Sequence, residues 1–433
     1  MKFITTFCCA LFFLQLNAQG WDRTLTDSMR ISNIAPTSDG GSVLLGTTSL
    51  GIPKMKVIKV DALGNLQWAK VFSDSFPVYG ELFPSGKLRI LQDSDGNYWF
   101  GSSNVSFGAS QETAIVKLDK NGNKLIYRRL LLRSGEIHVL NNQLIVFGKN
   151  VVSSIATILT LNSNGDTLDL KPIPNIKFKG GPDYISALQS NGLLIFNNSD
   201  TTGRTQTIKI GFDGVVKAIN PMPNNAPFAA VYPVIQMVKT SDGGYLVQDS
   251  TFVIKVDSVG QYIWRKSLGA ISPIIGTRYF NYLLAPTTQN GGFIAIQNKG
   301  GGNLNIQKYS NDGAQMSSNI LFSDQPLSYP FFLIKSLKGG FILAGNAIGT
   351  KVRLIKLDEN GYVYPYFIKG NVFSDRDNNC RLSGSDIPLQ KVVMVAKRAG
   401  FPDALAMTDT LGKYNLNVDV GTYEVYTTER KKR

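Results

Sequence analysis

The stretch Thr37-Ser38-Asp39-Gly40-Gly41 precedes an apolar strand and then Ile58-Lys59-Val60-Asp61. The same order returns at Thr240-Ser241-Asp242-Gly243-Gly244 with Ile254-Lys255-Val256-Asp257. In each copy, a two-glycine turn comes before one strand, and the apolar-Lys-apolar-Asp strand ends in a second glycine turn. Glycine supplies the positive φ that tight hairpins need, and Asp hydrogen-bonds its own backbone at the start of a turn. The repeated phrase therefore predicts units of short antiparallel strands.

The second turn can be followed along most of the chain. Its glycines are Gly64, Gly122, Gly165, Gly214, Gly260, Gly313 and Gly361. A period of about 50 residues with several short strands per unit is typical of propeller blades, whose hydrophobic faces are buried only against neighbouring blades. The sequence thus predicts an all-β fold, in which residues 19–367 form a seven-bladed β-propeller of four-stranded blades.

The first 18 residues have the composition of a secretory signal peptide. Lys2 precedes an apolar run from Phe3 to Leu16, and Leu16-Asn17-Ala18 offers a small-residue cleavage site. No later stretch reaches about 18 consecutive apolar residues, so no transmembrane segment is expected. We therefore expect residues 1–18 to be removed and the chain to be secreted or held at the cell surface.

Cysteine and histidine usage narrows the chemistry. Cys8 and Cys9 lie within the signal, which leaves Cys380 without a partner for an internal disulfide. The single histidine, His138, lies in a strand-like run, where a structural role is expected. A lone imidazole argues against His-based zinc sites and against Ser-His-Asp catalysis. The sequence therefore favours a protein that is not an enzyme, and we expect a monomer.

The chain is basic, with a formal net charge of +14 and a pI of about 9.5. For an exported protein, this charge suggests attraction to anionic glycans or other acidic surfaces, although a solvated basic surface is the favoured interpretation. No recognisable module combines basic residues with exposed aromatic side chains, so nucleic acid is not expected as a partner.

Six of the seven units carry a lysine at the same position of the third strand. If these lysines faced one rim, they would form a basic ring around the central channel. Long cationic side chains more commonly lay their stems along apolar neighbours while the ammonium group reaches water or the adjacent Asp, and this second arrangement is favoured. The six are Lys59, Lys117, Lys209, Lys255, Lys308 and Lys356.

Trp21-Asp22-Arg23-Thr24-Leu25 resembles the fourth strand of a unit, as at Trp68-Ala69-Lys70-Val71-Phe72, but no first three strands precede it. We predict that this leading strand joins the last blade, because closing the ring with both ends of the repeat region hides two sheet edges. Alternatively, residues from Tyr362 to Phe367 complete the last blade, and Trp21 lies outside it.

The repeat stops near residue 367, and alternating strands and glycine turns over residues 368–433 predict a small β-sandwich that is short of a final strand. Its segments Gly370-Asn371-Val372-Phe373-Ser374-Asp375 and Gly421-Thr422-Tyr423 resemble the Cna-B or SdrD-B-like prealbumin modules of bacterial surface proteins. The units of residues 19–367 resemble exported β-propeller repeat proteins of Bacteroidetes-type bacteria. These resemblances imply a spacer module and a role outside the cell.

One loop of this module has the spacing of a twelve-residue calcium site that begins at Asp375. The oxygen ligands at positions 3, 5, 7, 9 and 12 would be Asp377, Asn379, the Arg381 carbonyl, Ser383 and Asp386. Two features depart from the pattern, since Cys380 occupies the position of the usual turn glycine and Asp386 replaces a longer Glu. The sequence therefore leaves two alternatives, a loop that binds Ca²⁺ and a polar loop without metal.

Together, these features predict a secreted or cell-surface interaction protein. Its propeller loops would bind an extracellular glycan or protein for adhesion or scaffolding, with the sandwich as a spacer. The alternative is a carbohydrate-active propeller enzyme, sialidase-like or lyase-like. Glycoside hydrolysis needs two carboxylates in one pocket, and no such pair stands out beyond the turns. Binding is therefore favoured over catalysis.

Overall fold

The structure is a computed structural model. It describes residues 20–49, 54–72, 89–107, 110–174, 176, 184–197, 205–223, 236–248, 252–268, 282–288, 290–300, 303–321, 327–347, 350–363, 366–374, 376, 383–384, 386–398, 403–418 and 422–427. Within these ranges, no helix has the length and apolar character needed to cross a bilayer.

The described repeats form seven four-stranded antiparallel sheets, which we number as blades 1 to 7. After β1 (Trp21–Ser28), blade 1 contains β2 (Arg30–Pro36), β3 (Ser42–Thr47), β4 (Met55–Val60) and β5 (Leu66–Phe72). Blade 2 contains β6 (Arg89–Gln92), β7 (Tyr98–Phe107), β8 (Ser110–Leu118) and β9 (Lys124–Leu130). Blade 3 contains β10 (Leu132–Leu140), β11 (Gln143–Asn150), β12 (Ala156–Leu161) and β13 (Thr167–Ile173).

The second half of the ring repeats this order. Blade 4 contains β14 (Tyr184–Gln189), β15 (Gly192–Asn197), β16 (Gln206–Gly211) and β17 (Val216–Pro221). Blade 5 contains β18 (Gln236–Lys239), β19 (Tyr245–Gln248), β20 (Phe252–Val256) and β21 (Tyr262–Ser267). Blade 6 contains β22 (Tyr282–Pro286), β23 (Phe293–Gly300), β24 (Asn303–Tyr309) and β25 (Gln315–Leu321), and blade 7 contains β26 (Ser328–Lys335), β27 (Phe341–Asn346) and β28 (Lys351–Leu357) with β1.

The first strands of the blades contact one another in a closed cycle. Each of β2, β6, β10, β14, β18, β22 and β26 touches the next, and β26 returns to β2. The hydrophobic core lies between blades. One buried cluster, for example, joins Ile34 and Leu44 of blade 1 to Ile342 and Leu354 of blade 7. The predicted all-β propeller is therefore confirmed.

The repeated aspartates shape the second turns, as predicted. Asp61 accepts hydrogen bonds through Oδ1 from the backbone N–H groups of Leu63 and Asn65, at 2.9 and 2.8 Å. Gly64 follows with φ of +79°, a conformation that favours glycine. Asp119 makes the equivalent bonds to Asn121 and Asn123. These carboxylates are committed to turn formation.

The leading strand closes the ring. β1 pairs antiparallel with β28, with Trp21 opposite Lys356, which confirms the first alternative and shows that the second was wrong. Arg353 donates through Nε to Asp22 Oδ1 at 2.9 Å and through Nη2 to Asp22 Oδ2. Because β1 occupies the outer position of blade 7, the chain is free to leave the ring after Val363, which still packs in the core between blades 6 and 7.

A tryptophan on the outer strand of three blades is bonded to the next blade. Its indole Nε1 donates to a backbone carbonyl in the second turn of that blade, and the turn glycine leaves room for the ring: a Cβ on Gly64 would lie 2.6 Å from the Trp21 ring. The three bonds are Trp21 to Ala62 at 3.0 Å, Trp68 to Lys120 at 3.2 Å and Trp264 to Asn311 at 2.8 Å. The Trp and Gly of the repeat therefore form one contact between blades.

The strands after the ring form separate small sheets. They are β29 (Tyr366–Asn371), β30 (Phe373–Ser374), β31 (Ile387–Pro388), β32 (Val393–Lys397), β33 (Ala404–Met407), β34 (Lys413–Val418) and β35 (Glu424–Thr427). β29 pairs with β34, β30 pairs with β31, and β32 lies between β33 and β35. Met394 and Ala396 on β32 share a buried cluster with Leu416 and Val418 on β34, so two of the sheets pack face to face. The first strand begins at Tyr366, just before the predicted boundary.

Candidate binding site between blades 6 and 7

The repeat lysines of blades 1 and 5 are buried and paired. Lys59 is 3% exposed, and its Nζ donates to Asp39 Oδ2 at 2.7 Å. Lys255 is 1% exposed, and its Nζ donates to Asp242 Oδ1 at 2.9 Å. In both blades, the partner Asp lies in the first turn of the same blade. It is not the Asp that follows the lysine two residues later, which in blade 1 is Asp61, because Asp61 already bonds the backbone of its own turn. Because they are buried and paired, Lys59 and Lys255 do not form the basic ring, which was the less favoured alternative, and their acceptor is not the adjacent Asp of the favoured one.

The paired groups adjust each other's ionisation. Burial raises the pKa of Asp242, but hydrogen bonds from Lys255, Thr240 and the Gly244 backbone outweigh burial, so that the pKa is lowered overall. Burial lowers the pKa of Lys255, and Asp242 counteracts that fall. In blade 2, Lys117 Nζ similarly lies 3.4 Å from Asp93 Oδ2. The first-turn carboxylate thus compensates a buried ammonium group.

Blades 6 and 7 keep the lysine and lack this carboxylate. Asn290 and Lys338 stand before the Gly-Gly pair of their first turns, where blades 1 and 5 have Asp. The lysines therefore turn to neutral acceptors: Lys308 Nζ donates to Asn360 Oδ1 at 2.8 Å, and Lys356 Nζ donates to the Gly339 carbonyl. Two repeat lysines on adjacent blades therefore lack the first-turn carboxylate that blades 1, 2 and 5 supply.

Glu359, in the second turn of blade 7, is the carboxylate beside them. It accepts hydrogen bonds from Lys335 Nζ through both oxygens and from the Gly340 N–H through Oε1 at 2.7 Å. Burial raises the pKa of Glu359, but these bonds lower it overall. Because its oxygens bond Lys335 and the backbone, Glu359 compensates only part of the positive charge of the cluster.

The three lysines act on one another. Burial and the nearby Lys335 ammonium lower the pKa of Lys356 to about 8, and Glu359 offsets part of this fall. Burial lowers the pKa of Lys335, and Lys308 lowers it further against the opposing effect of Glu359. Lys308, Lys335, Lys356 and Glu359 therefore form one electrostatically coupled group, which we call the lysine cluster.

A cavity of about 300 Å³ opens beside the lysine cluster, between the turns of blades 6 and 7. Lys308 and Glu359 line it together with hydroxyl, amide and backbone groups and one exposed methionine. The other lining residues are Thr287, Thr288, Asn290, Gly292, Tyr309, Ser310, Asn311, Met316 and Asn360. We call this cavity the blade 6–7 pocket. It can donate and accept hydrogen bonds, and the adjoining lysine cluster, with three ammonium groups and one carboxylate, favours an anion.

Sequence reasoning included Lys308 and Lys356 among the repeat lysines and missed the pocket. The available signal was the absence of Asp before the Gly-Gly pairs of blades 6 and 7, with the lysines retained. Glu359 carried no comparable signal, because its contact with Lys335 depends on how two turns fold together.

A second polar cluster joins the first strands of blades 2, 3 and 4. Glu136 Oε2 accepts hydrogen bonds at 2.6 Å from both the backbone N–H and the Oγ of Ser186, and His138 Nε2 lies 2.8 Å from that Oγ. Arg89 Nη2 is 3.7 Å from Glu136 Oε2. Burial, with a contribution from Arg89, holds the pKa of His138 well below its usual value. In a Ser-His-acid triad the carboxylate orients the imidazole, whereas here it bonds the serine directly. This geometry fits the structural role expected of His138.

The predicted calcium loop is described only in part. Asp375, Asp377, Asn379 and Arg381 lie outside the described residues. Asp386 lies within them and accepts hydrogen bonds from the backbone N–H groups of Arg376 at 2.9 Å and Ser383 at 2.7 Å, which lower its pKa. Calcium binding therefore stays a prediction.

No family model matches the chain, and no curated protein matches it. Among solved structures, BBS1N in complex with ARL6DN is 12% identical, covers 79% of this chain and 97% of its own, and has a TM-score of 0.48. The BP39L lectin from Burkholderia pseudomallei is 11% identical, covers 77% and 98%, and has a TM-score of 0.48. A protein of unknown function from Bacteroides caccae is 13% identical, covers 65% and 93%, and has a TM-score of 0.39.

Proposed function

We propose that this chain is a secreted or cell-surface interaction protein whose propeller binds an extracellular glycan or protein through the blade 6–7 pocket. The observation that carries the proposal is the lysine cluster, in which three ammonium groups share one carboxylate beside an open cavity. A buried ammonium group without a full counter-charge lowers folding stability. A ligand that brings negative charge would supply what the repeat supplies in blades 1 and 5.

The rest of the chain has a place in this proposal. Residues 1–18 direct export, in keeping with the resemblance of the repeats to exported Bacteroidetes-type propeller proteins. Residues 368–433 act as a Cna-B or SdrD-B-like spacer that holds the propeller away from its attachment point. Calcium, if bound between Asp375 and Asp386, would order that spacer and take no part in chemistry.

The test is a glycan-array screen of the chain from residue 19, run with calcium and with a chelator, followed by turnover assays on every glycan that binds. We expect binding without turnover. Chemical conversion of a bound glycan would overturn the proposal and favour the carbohydrate-active alternative. Loss of binding in the chelator would implicate the loop from Asp375 to Asp386, and an array without any hit would direct the search to protein partners.

A further inference from the structure

The equivalent junction one blade earlier, between blades 5 and 6, carries a negative charge. There, the Asp242 carboxylate packs against Gly291 of blade 6, where an added Cβ would lie 2.7 Å from it, and Asp242 also pairs with Lys255. In the blade 6–7 pocket, the residue at the position of Asp242 is Asn290 of blade 6, which lines the cavity. The first turn therefore contributes a carboxylate between blades 5 and 6 and a neutral amide between blades 6 and 7.

Lys308 is the ammonium group of the lysine cluster that lines the pocket. It is half-buried, and its Nζ is held by Asn360 Oδ1 at 2.8 Å. An ammonium group has three donors, so Lys308 can hold this contact and also donate to a bound oxyanion. Its position is fixed from the outset, which reduces the entropy lost on binding.

The neighbouring charges favour an anion at that point. Both Glu359 oxygens accept from Lys335, and Oε1 also accepts from the Gly340 backbone. Lys356 is 2% exposed and bonds a carbonyl. The positive potential of Lys356 therefore adds to that of Lys308, and a low-dielectric surrounding strengthens the effect.

The walls suit a sugar. The Ser310 hydroxyl donates to Asp312 and the Thr288 hydroxyl bonds Glu359, so their oxygens remain as acceptors for ring hydroxyls. Asn311 lines the pocket with an amide, and Met316 at 65% exposure offers an apolar surface to C–H groups. The volume of about 300 Å³ is at the lower end of the range of about 300–1,000 Å³ for ligand pockets. We propose, as an extension of the binding function above, that this pocket holds one anionic sugar of an acidic saccharide, with its carboxylate or sulfate on Lys308.

The test measures the affinity of the full chain for three soluble oligosaccharides by calorimetry. A galacturonate oligomer carries carboxylates, a heparin oligomer carries sulfates and carboxylates, and a maltose oligomer is neutral. The probing variant is Lys308→Met, which keeps the aliphatic stem and removes the charge. The matched control is Lys209→Met, which removes the lysine at the same repeat position of blade 4, away from the pocket. Thermal unfolding checks that both variants are folded.

We expect the wild type to bind an acidic oligomer and to bind the maltose oligomer at least about tenfold more weakly. A charge-assisted hydrogen bond contributes enough that Lys308→Met should weaken acidic binding about tenfold or more, while Lys209→Met stays within about twofold. Binding of both acidic oligomers, or of one of them, supports the inference and identifies the anion that is preferred.

Equal acidic binding by wild type and Lys308→Met overturns the assignment of the pocket and leaves the broader binding function standing. Stronger binding of the maltose oligomer than of either acidic one overturns the anionic preference. A chain that binds none of the three, yet captures a protein ligand, also overturns this inference while it supports the proposed function. A chain that converts the oligomers overturns the proposed function itself.

Discussion

The ion pair that joins the two ends of the propeller makes a strong prediction about stability. Asp22 on β1 and Arg353 on β28 bond through two parallel contacts, and their side chains are only 11% and 7% exposed. Removing one partner of a buried pair leaves the other charge without compensation, at a cost of about 3–5 kcal/mol. We expect Asp22→Asn, which keeps the shape of the side chain, to lower the free energy of unfolding by about 3 kcal/mol.

The assay is urea unfolding followed by tryptophan fluorescence. All four tryptophans of the chain, Trp21, Trp68, Trp99 and Trp264, lie in the propeller, so this signal reports the ring and not the C-terminal sheets. The matched control is Asp213→Asn. Asp213 pairs with Lys217 at 2.7 Å on the surface, with both side chains about half exposed, and solvent screening leaves such a pair little effect on stability.

A double replacement tests whether the lost stability comes from the isolated charge. Replacing both partners, as Asp22→Leu with Arg353→Met, removes the isolated charge, so most of the stability lost in Asp22→Asn should return. If Asp22→Asn costs no more than Asp213→Asn, the ring is closed by strand pairing and packing alone. That result would refute our account of the closure.

Two further outcomes follow from single contacts, each measured by the same unfolding assay. Trp264→Phe should lower the free energy of unfolding by about 1 kcal/mol more than the lost packing alone, because it removes the hydrogen bond from the indole to the Asn311 carbonyl at 2.8 Å. A loss of stability equal to that of a Phe→Leu substitution at a similarly buried site would contradict this. Lys356→Met should be more stable than wild type at pH 7 by up to about 3 kcal/mol, since a pKa of about 8 against 10.5 penalises the charged folded state. Below pH 8 that penalty is fully present, and between pH 8 and 10.5 the unfolded wild type binds more protons, so the difference between the two proteins should shrink as pH rises. A difference in stability that does not change with pH would show that folding does not lower the pKa of Lys356.

The fold was predictable because its signals are local. Asp61 and Gly64 shape their turn through bonds within five residues, and the turn glycine recurs in every blade, with Asp at the position of Asp61 in blades 1, 2, 5 and 7. The closing strand was predictable for a related reason: Trp21 repeats the outer-strand pattern of Trp68, and both make the same bond to the next blade. A pattern that is read once per blade can be recognised wherever it recurs.

The site was not predictable because its contacts join distant segments. Lys59 was expected to reach water or the adjacent Asp61, and its partner is Asp39, on a different turn. Glu359 meets Lys335, which is 24 residues earlier and on another strand. Such pairs depend on where two distant segments lie relative to each other in the folded chain, and the periodicity of the strands does not predict that position.

Blades 3 and 7 differ in how much of the buried Lys–Asp pair they keep. Blade 3 has lost both members of the buried pair, with Thr160 in place of the lysine and Asn142 in the first turn, as a purely structural pair predicts. Blade 7 has lost only the carboxylate, and Lys356 stays 2% exposed with a carbonyl as its acceptor. Folding alone favours replacing such a lysine by an apolar residue. Under the proposed function, the charge of Lys356 is kept because it adds to the potential at Lys308, the lysine that lines the blade 6–7 pocket.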